Sequence, residues 1–239
     1  MSVIKTSRDG AVSTVTIDRP AEGNLLSIPN LRELGDAFQR VAAEDSKVVV
    51  LRATGADFCK GRDNTGAAPS PTALKLRANV LQPILDVYDV MANTPQPIVC
   101  LVQGAAFGFG AAIAGAADVT IADETARFKL PEMMIDLPPT LAISALMPRV
   151  PRKALAWMVY SIEELDARTA LQVGIVSKVV ATGELDRALA ELLKTMLARS
   201  PEALIAVKDF FRTAPYMEPR GVSAYAGTLL AAVLSSAGK

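Results

Sequence analysis

Residues 97–110 read Pro97-Ile98-Val99-Cys100-Leu101-Val102-Gln103-Gly104-Ala105-Ala106-Phe107-Gly108-Phe109-Gly110, and an Ala-rich segment follows. Ile98 to Val102 is a short continuous apolar run, as in a strand buried on both faces, and the alanines after Gly110 continue as a helix. Between the two, Gly108 and Gly110 let the backbone come close to a ligand. The helix N-terminus adds unpaired N–H groups aimed at developing negative charge. A Pro-Glu pair, Pro131-Glu132, follows soon after. Together these features describe a hole for an oxyanion with a carboxylate nearby.

Working outward, residues 12–18 alternate apolar and polar as a half-buried strand does, with residues 3–6 as its hairpin partner across 7–10. Asn30 is placed to cap a helix running to Ala43, with Leu31, Leu34, Phe38 and Val41 on one face, and residues 48–52 make a short buried strand. Residues 64–72, rich in Gly, Ala, Pro and Ser, are expected to form a loop. Helical spacing then runs over 73–91 through Leu74, Leu81, Leu85 and Tyr88, with a kink expected at Pro83. The strand 98–102, the helix from Gly110 and a strand over 119–122 form a second crossover. A helix over 154–160 with a strand over 175–180 forms a third, more weakly marked.

Strands alternating with helices predict an α/β fold, and periodicity alone permits either a spiral of stacked turns or a doubly wound sheet. From Leu185 the pattern is all helical, in three segments broken at Ser200-Pro201 and at 214–221. The expected division is a core over 1–184 and a helical region over 185–239.

Composition narrows the function classes. The chain has 239 residues, 51% hydrophobic and 21% charged, and Lys plus Arg equals Asp plus Glu at 25 each. One compact domain is the economical reading, and the balanced charge gives no support for nucleic-acid or anionic-membrane binding. Cys59 and Cys100 are not in a metal-type or redox spacing, so a reduced, cytoplasmic compartment is expected. Neither a signal segment nor a membrane-spanning apolar stretch is read from the sequence. With no histidine, Ser-His-Asp and Cys-His catalysis are ruled out, and proton transfer falls to carboxylates, lysine, tyrosine or water.

The run 103–110, Ala116-Ala117-Asp118 and Phe128-Lys129-Leu130-Pro131-Glu132 together resemble the crotonase, or enoyl-CoA hydratase/isomerase, superfamily. Upstream, Gly55-Ala56-Asp57-Phe58-Cys59-Lys60-Gly61-Arg62-Asp63 is similar to that family's first oxyanion loop. Downstream, Leu165-Asp166-Ala167 and residues 171–176 are similar to its later helix and strand. The resemblance implies a spiral of repeated β-β-α turns with a C-terminal helical region, and a coenzyme A thioester as substrate. It implies no metal or redox cofactor, and assembly as a homo-trimer or homo-hexamer. Relatives usually continue beyond the position of Lys239 with a further helical stretch, so acyl-tail and subunit contacts are expected to differ here.

Carried over by motif, the oxyanion donors are the backbone amides of Arg62 and Phe109, with Gly108 and Gly110 shaping the second half of the hole. Removing one such donor typically costs about 3–4 kcal/mol of transition-state stabilisation. Phe109 stands where relatives commonly carry glycine, so its Cβ is expected to restrict the hole's backbone. Lys60, Gly61 and Arg62 form the loop expected to meet coenzyme A, with the two basic side chains toward its phosphates. Of the family's two hydratase glutamates, one matches Glu132 and the other falls on Ala112. A methyl group cannot orient water or exchange a proton, so two-carboxylate hydration is disfavoured.

A 1,3-proton shift needs one carboxylate, which points to isomerase chemistry with Glu132 as acid and base. Asp136, four residues on, is a candidate second acid if 133–137 forms a helical turn, and equally a solvent-facing cap. Met133, Met134, Leu137 and Leu141 are candidates for an acyl pocket. Competing readings are a hydratase, another enolate reaction, or a noncatalytic acyl-CoA-binding scaffold. A dinucleotide fingerprint fails because Ile113 occupies the third small-residue position.

Overall fold

The computed structural model describes residues 2–63 and 72–236. The loop expected over 64–72 therefore lies outside the described residues apart from Thr72. Strands β1 (Ile4–Asp9) and β2 (Val12–Ile17) form an antiparallel hairpin, and β1 runs three residues further than the pattern predicts before turning at Gly10. Helix α1 (Ile28–Ala42) is capped by Ser27 rather than by Asn30. Asn30 instead completes a reciprocal capping box, its side chain accepting from the Ser27 amide. Then come β3 (Val48–Ala53), α2 (Ala73–Leu76), a π turn over Arg77–Leu81 and α3 (Gln82–Asn93). In that π turn the Gln82 N–H reaches back to the Arg77 carbonyl, immediately before Pro83. The expected irregularity at Pro83 thus takes the form of one widened turn.

Downstream are β4 (Ile98–Val102), β5 (Ala105–Phe107), α4 (Phe109–Ala116), β6 (Val119–Asp123) and β7 (Arg127–Lys129). They are followed by α5 (Thr140–Leu146), α6 (Arg152–Ser161), β8 (Leu165–Asp166), α7 (Ala167–Gln172) and β9 (Lys178–Val180). Helices α8 (Leu185–Leu197), α9 (Pro201–Thr213) and α10 (Pro219–Ser236) complete the described chain.

The strands form two sheets. The larger has the order β1-β2-β3-β4-β6-β9, parallel throughout after the first hairpin, and the smaller is β5-β7-β8. Isolated parallel bridges, Leu26 with Arg62 and Cys59 with Ala106, carry the smaller sheet's pairing back into the first loops. Each turn therefore crosses the large sheet, then the small one, and returns through a helix. This is the β-β-α spiral, and the doubly wound alternative is excluded. The short strands β5, β7 and β8 escaped the periodicity reading, because two or three residues carry no recognisable alternation.

Side-chain alternation divides the core. Val49, Leu51, Cys100 and Val102 face α1, α3 and α4, whereas Val48, Val50, Val99 and Leu101 face Leu185, Leu189, Leu192 and Met196 of α8. The first helix of the 185–239 region thus covers the back of the large sheet.

Helix α9 is tied in by Lys208, only 7% exposed, whose Nζ donates to the Met91 and Gln96 carbonyls at 3.2 and 3.0 Å and pairs with Asp118 at 2.9 Å. The same Asp118 oxygen accepts from the Ile98 amide at 2.7 Å, at the head of β4. Asp118 is itself exposed, so the main loss on removing Lys208 is the donor to the Met91 and Gln96 carbonyls. Lys208→Ala is therefore expected to lower unfolding stability by about 1–3 kcal/mol in urea titrations.

Candidate active site

The first wall of the site is the loop after β3, and a buried asparagine holds it. Asn24, with a left-handed φ of 56°, donates to the Thr54 and Asp57 carbonyls at 2.8 and 2.7 Å and accepts from the Arg19 amide at 2.8 Å. Arg19 pairs with Asp63 at 2.8 Å, and Asp57 accepts from the Ala105 amide at 3.0 Å. The loop is thus stitched both to residues 19–24 and to β5. Sequence reading missed Asn24, whose role depends on partners about 30 residues away in the chain. Asn24→Ala leaves two carbonyls without their donor. It is expected to destabilise the fold by about 1–3 kcal/mol per unpaired carbonyl, measured by chemical denaturation.

Backbone alternation along 59–63 aims one amide inward. The Lys60 amide bonds the Gly23 carbonyl at 3.0 Å, and Leu26 bonds the Gly61 carbonyl at 3.0 Å and the Asp63 amide at 2.9 Å. Cys59 bonds the opposite side, its amide to Ala105 and its carbonyl to the Phe107 amide, both at 2.9 Å. The Arg62 N–H therefore turns away from Leu26 toward β5 and the start of α4. It has no backbone acceptor among the described residues.

The second wall is the β5–α4 junction. Gly108 has φ 51° and ψ −112°, a conformation that a side chain resists, and its amide bonds the Lys129 carbonyl of β7 at 2.8 Å. Phe109 is the first residue of α4 and is not among the positive-φ residues, so the expected restriction by its Cβ does not arise; the unusual dihedrals fall on Gly108 instead. Its amide lies in the first turn of α4, where no intrahelical acceptor exists. At Gly110 a Cβ would come within 2.1 Å of the Cys59 carbonyl oxygen, so the close approach of the two walls requires glycine there.

Glu132 enters from the 3₁₀ turn Pro131–Ile135 that follows β7. Its Oε1 would lie 2.8 Å from a Cβ placed on Gly108, so the carboxylate rests directly against that glycine. Its Oε2 is buried with no hydrogen-bond partner among the described residues. Burial holds its carboxyl above the usual carboxylate range. Ala112, at the position of the missing second glutamate, is completely buried in α4.

Tyr88 of α3 belongs to the same cluster. Its ring stacks on Phe109 with centroids 5.8 Å apart and planes at 18°. Burial pushes its phenol above the ordinary value; Glu132 and Cys59 act in the same direction and Arg62 opposes them. In the sequence Tyr88 is marked only by its helical spacing with Leu81 and Leu85, and no local signal distinguishes it further. The Arg62 side chain is half-buried, and its Nε lacks an acceptor among the described residues.

Other candidates fall elsewhere. Lys60 pairs with Asp57 at 2.7 Å and lies across Gly23, so its ammonium already has a counter-ion. Asp136 does not continue a helical turn: it closes the 3₁₀ turn in a left-handed conformation, φ 55°, and its side chain is exposed. Met133 and Leu141 pack against the core, whereas Met134, Ile135 and Leu137 are exposed. Burial pushes the Cys59 thiol up to about 12, which leaves it inert as a nucleophile. A cavity of about 680 Å³ between α3, α4 and α9 includes Tyr88 but none of Arg62, Gly108, Phe109 or Glu132. Among the described residues no group of His, Cys, Asp or Glu is arranged to hold a metal, and no helix is long and apolar enough to cross a membrane.

The family model for enoyl-CoA hydratase/isomerase matches residues 7–233. The mitochondrial enoyl-CoA hydratase domain-containing protein 3 of Rattus norvegicus is 29% identical over 205 residues, covering 83% of this chain and 67% of its own length. Carnitinyl-CoA dehydratase of Escherichia coli (strain K12) is 29% identical over 217 residues, covering 88% and 80%. The crystal structure of an enoyl-CoA hydratase from Mycobacterium smegmatis superposes with a TM-score of 0.91 at 29% identity, covering 97% of this chain and 91% of that one.

Proposed function

The chain belongs to the enoyl-CoA hydratase/isomerase family, a crotonase-fold group of acyl-CoA-processing enzymes, and we propose that its own reaction is the shift of a carbon–carbon double bond along an enoyl thioester. The thioester oxygen accepts hydrogen bonds from the Arg62 and Phe109 amides. Glu132 removes a proton from C2; the electrons of that C–H bond form C1=C2 and the C1=O pair moves onto the oxygen, with C3=C4 intact. The charge in the dienolate rests on the oxygen held by the two amides. Glu132 then returns the proton to C4 as the oxygen pair re-forms C1=O, the C1=C2 pair becomes C2=C3 and the C3=C4 pair takes the proton, so no atom is gained or lost.

One observation carries this reading above the others: a single carboxylate rests against Gly108, and the residue matching the hydratase's second glutamate is a buried alanine. Pre-aimed amides and one acid–base group suffice for a proton shift, whereas adding water calls for a group to orient and deprotonate it. The names of the relatives favour a second reading, addition or removal of water, and one assay separates the two. Incubation with 3-enoyl-CoA and 2-enoyl-CoA panels, followed by chromatography, is expected to interconvert the double-bond isomers. Accumulation of 3-hydroxyacyl-CoA as the main product instead establishes the hydratase reading, and binding without turnover establishes a scaffold. Assembly as a trimer or a pair of trimers belongs to the same proposal, supported by the exposed Leu230 and Leu234 on α10.

A further inference from the structure

We infer that the acyl chain of the substrate carries a second anionic group, a carboxylate, which seats against the Arg62 guanidinium. The inference rests on the acyl-thioester reading above for what enters the site, and on the unmatched charge of Arg62 for the rest. Arg62 makes no ion pair among the described residues, and its Nε is buried without an acceptor. Residues 64–71, which follow it in the chain, contain neither Asp nor Glu. Desolvation makes the guanidinium a weaker base than usual, with Tyr88 opposing. A cation withdrawn from water without a counter-charge is unfavourable, and a ligand anion relieves that cost on binding.

Position decides what kind of anion. Arg62 follows Gly61, where an added Cβ would lie 3.2 Å from the Phe107 carbonyl oxygen beside Gly108, and Glu132 rests against Gly108 itself. Tyr88, whose charge state Arg62 also influences, stacks on Phe109, whose amide forms half of the proposed hole. The guanidinium therefore lies among the groups that surround the reacting carbons. The phosphates of coenzyme A are held away from those carbons by the whole pantetheine arm. Lys60, the other basic residue of the loop, is already neutralised by Asp57. Glu132 is not the missing partner: the two form no ion pair among the described residues, and the buried Glu132 Oε2 has no hydrogen-bond partner there either. A planar guanidinium near the acyl end matches a carboxylate by two parallel hydrogen bonds, a fit that an aliphatic chain end does not offer.

Binding and turnover test this separately. By calorimetry, adipyl-CoA is expected to bind wild-type protein at least tenfold more tightly than hexanoyl-CoA, and glutaryl-CoA more tightly than pentanoyl-CoA. Equal or reversed affinities overturn the inference without any variant. In Arg62→Leu, with folding checked by circular dichroism, the preference for the carboxylated chain is expected to fall about 10- to 100-fold. Arg62→Lys is expected to keep only part of it. Loss of affinity that is the same for both chains, and that vanishes with 3′-dephospho-CoA thioesters, assigns Arg62 to the nucleotide phosphate and overturns the inference. These saturated thioesters do not react, so failure of double-bond migration alone defeats the isomerase reading and leaves the chain-end preference standing.

Discussion

Glu132→Gln is expected to lower kcat for double-bond migration by about 10²- to 10⁴-fold while leaving thioester binding nearly intact. The amide is close in size to the carboxylate, so the contact with Gly108 survives and the loss isolates the proton transfer. In the proposed reaction, the working form is the carboxylate. Because burial raises its proton affinity, kcat/KM is expected to fall on acidification from a higher pH than an exposed glutamate would give. The stability effect has the opposite sense. A carboxyl whose proton affinity is raised on folding is more protonated in the folded state than in the unfolded one. Stability is therefore lost as pH rises from the unfolded value through the folded one. Glu132→Gln removes that loss, so the inactive variant is expected to equal or exceed the wild type in urea resistance at neutral pH and to show no such advantage in acid. Paired pH–rate and pH–stability curves check both halves. An unchanged kcat removes Glu132 from the chemistry.

The second large effect is expected at Gly108. Its φ of 51° with ψ −112° is costly for any residue with a side chain, and the first atom of that side chain would sit 2.8 Å from the Glu132 carboxylate. Gly108→Ala is therefore expected to cost about 1–3 kcal/mol in backbone strain. It also displaces both the base and the residue that precedes the Phe109 amide. A shift of about 1 Å at a reacting centre can cost on the order of 10²-fold in rate, so kcat should fall by at least that much. Melting curves and single-turnover kinetics separate the two contributions. Wild-type kcat in a folded Gly108→Ala protein contradicts the placement of Glu132 against this glycine.

How much of this was legible beforehand depends on how local each feature is. The strand over Ile98–Val102, the helix that follows Gly108 and the turn bearing Glu132 each announce themselves within a few residues, through apolar continuity, glycine spacing and a proline. The small sheet does not. β5 and β7 have three residues each and are held in register by the bonds of the 59–63 loop and of Gly108, so only the folded chain defines them. The same holds for Asn24 and Tyr88, which contribute through contacts distant in sequence. Arg62 is named from the sequence for its amide and its charge, and its motif gives no hint that the guanidinium is half-buried and makes no ion pair among the described residues. Asp136 shows the converse: its spacing from Glu132 fitted a helical turn, and the 3₁₀ turn ended one residue too early for that spacing to apply.

The most direct test of the central claim is a crystal structure with a bound, non-isomerisable acyl-CoA. The account expects the thioester oxygen within about 2.7–3.2 Å of both the Arg62 and Phe109 amide nitrogens, with C2 of the chain facing the Glu132 carboxylate. A thioester oxygen held by neither amide, or a C2 turned away from Glu132, contradicts it.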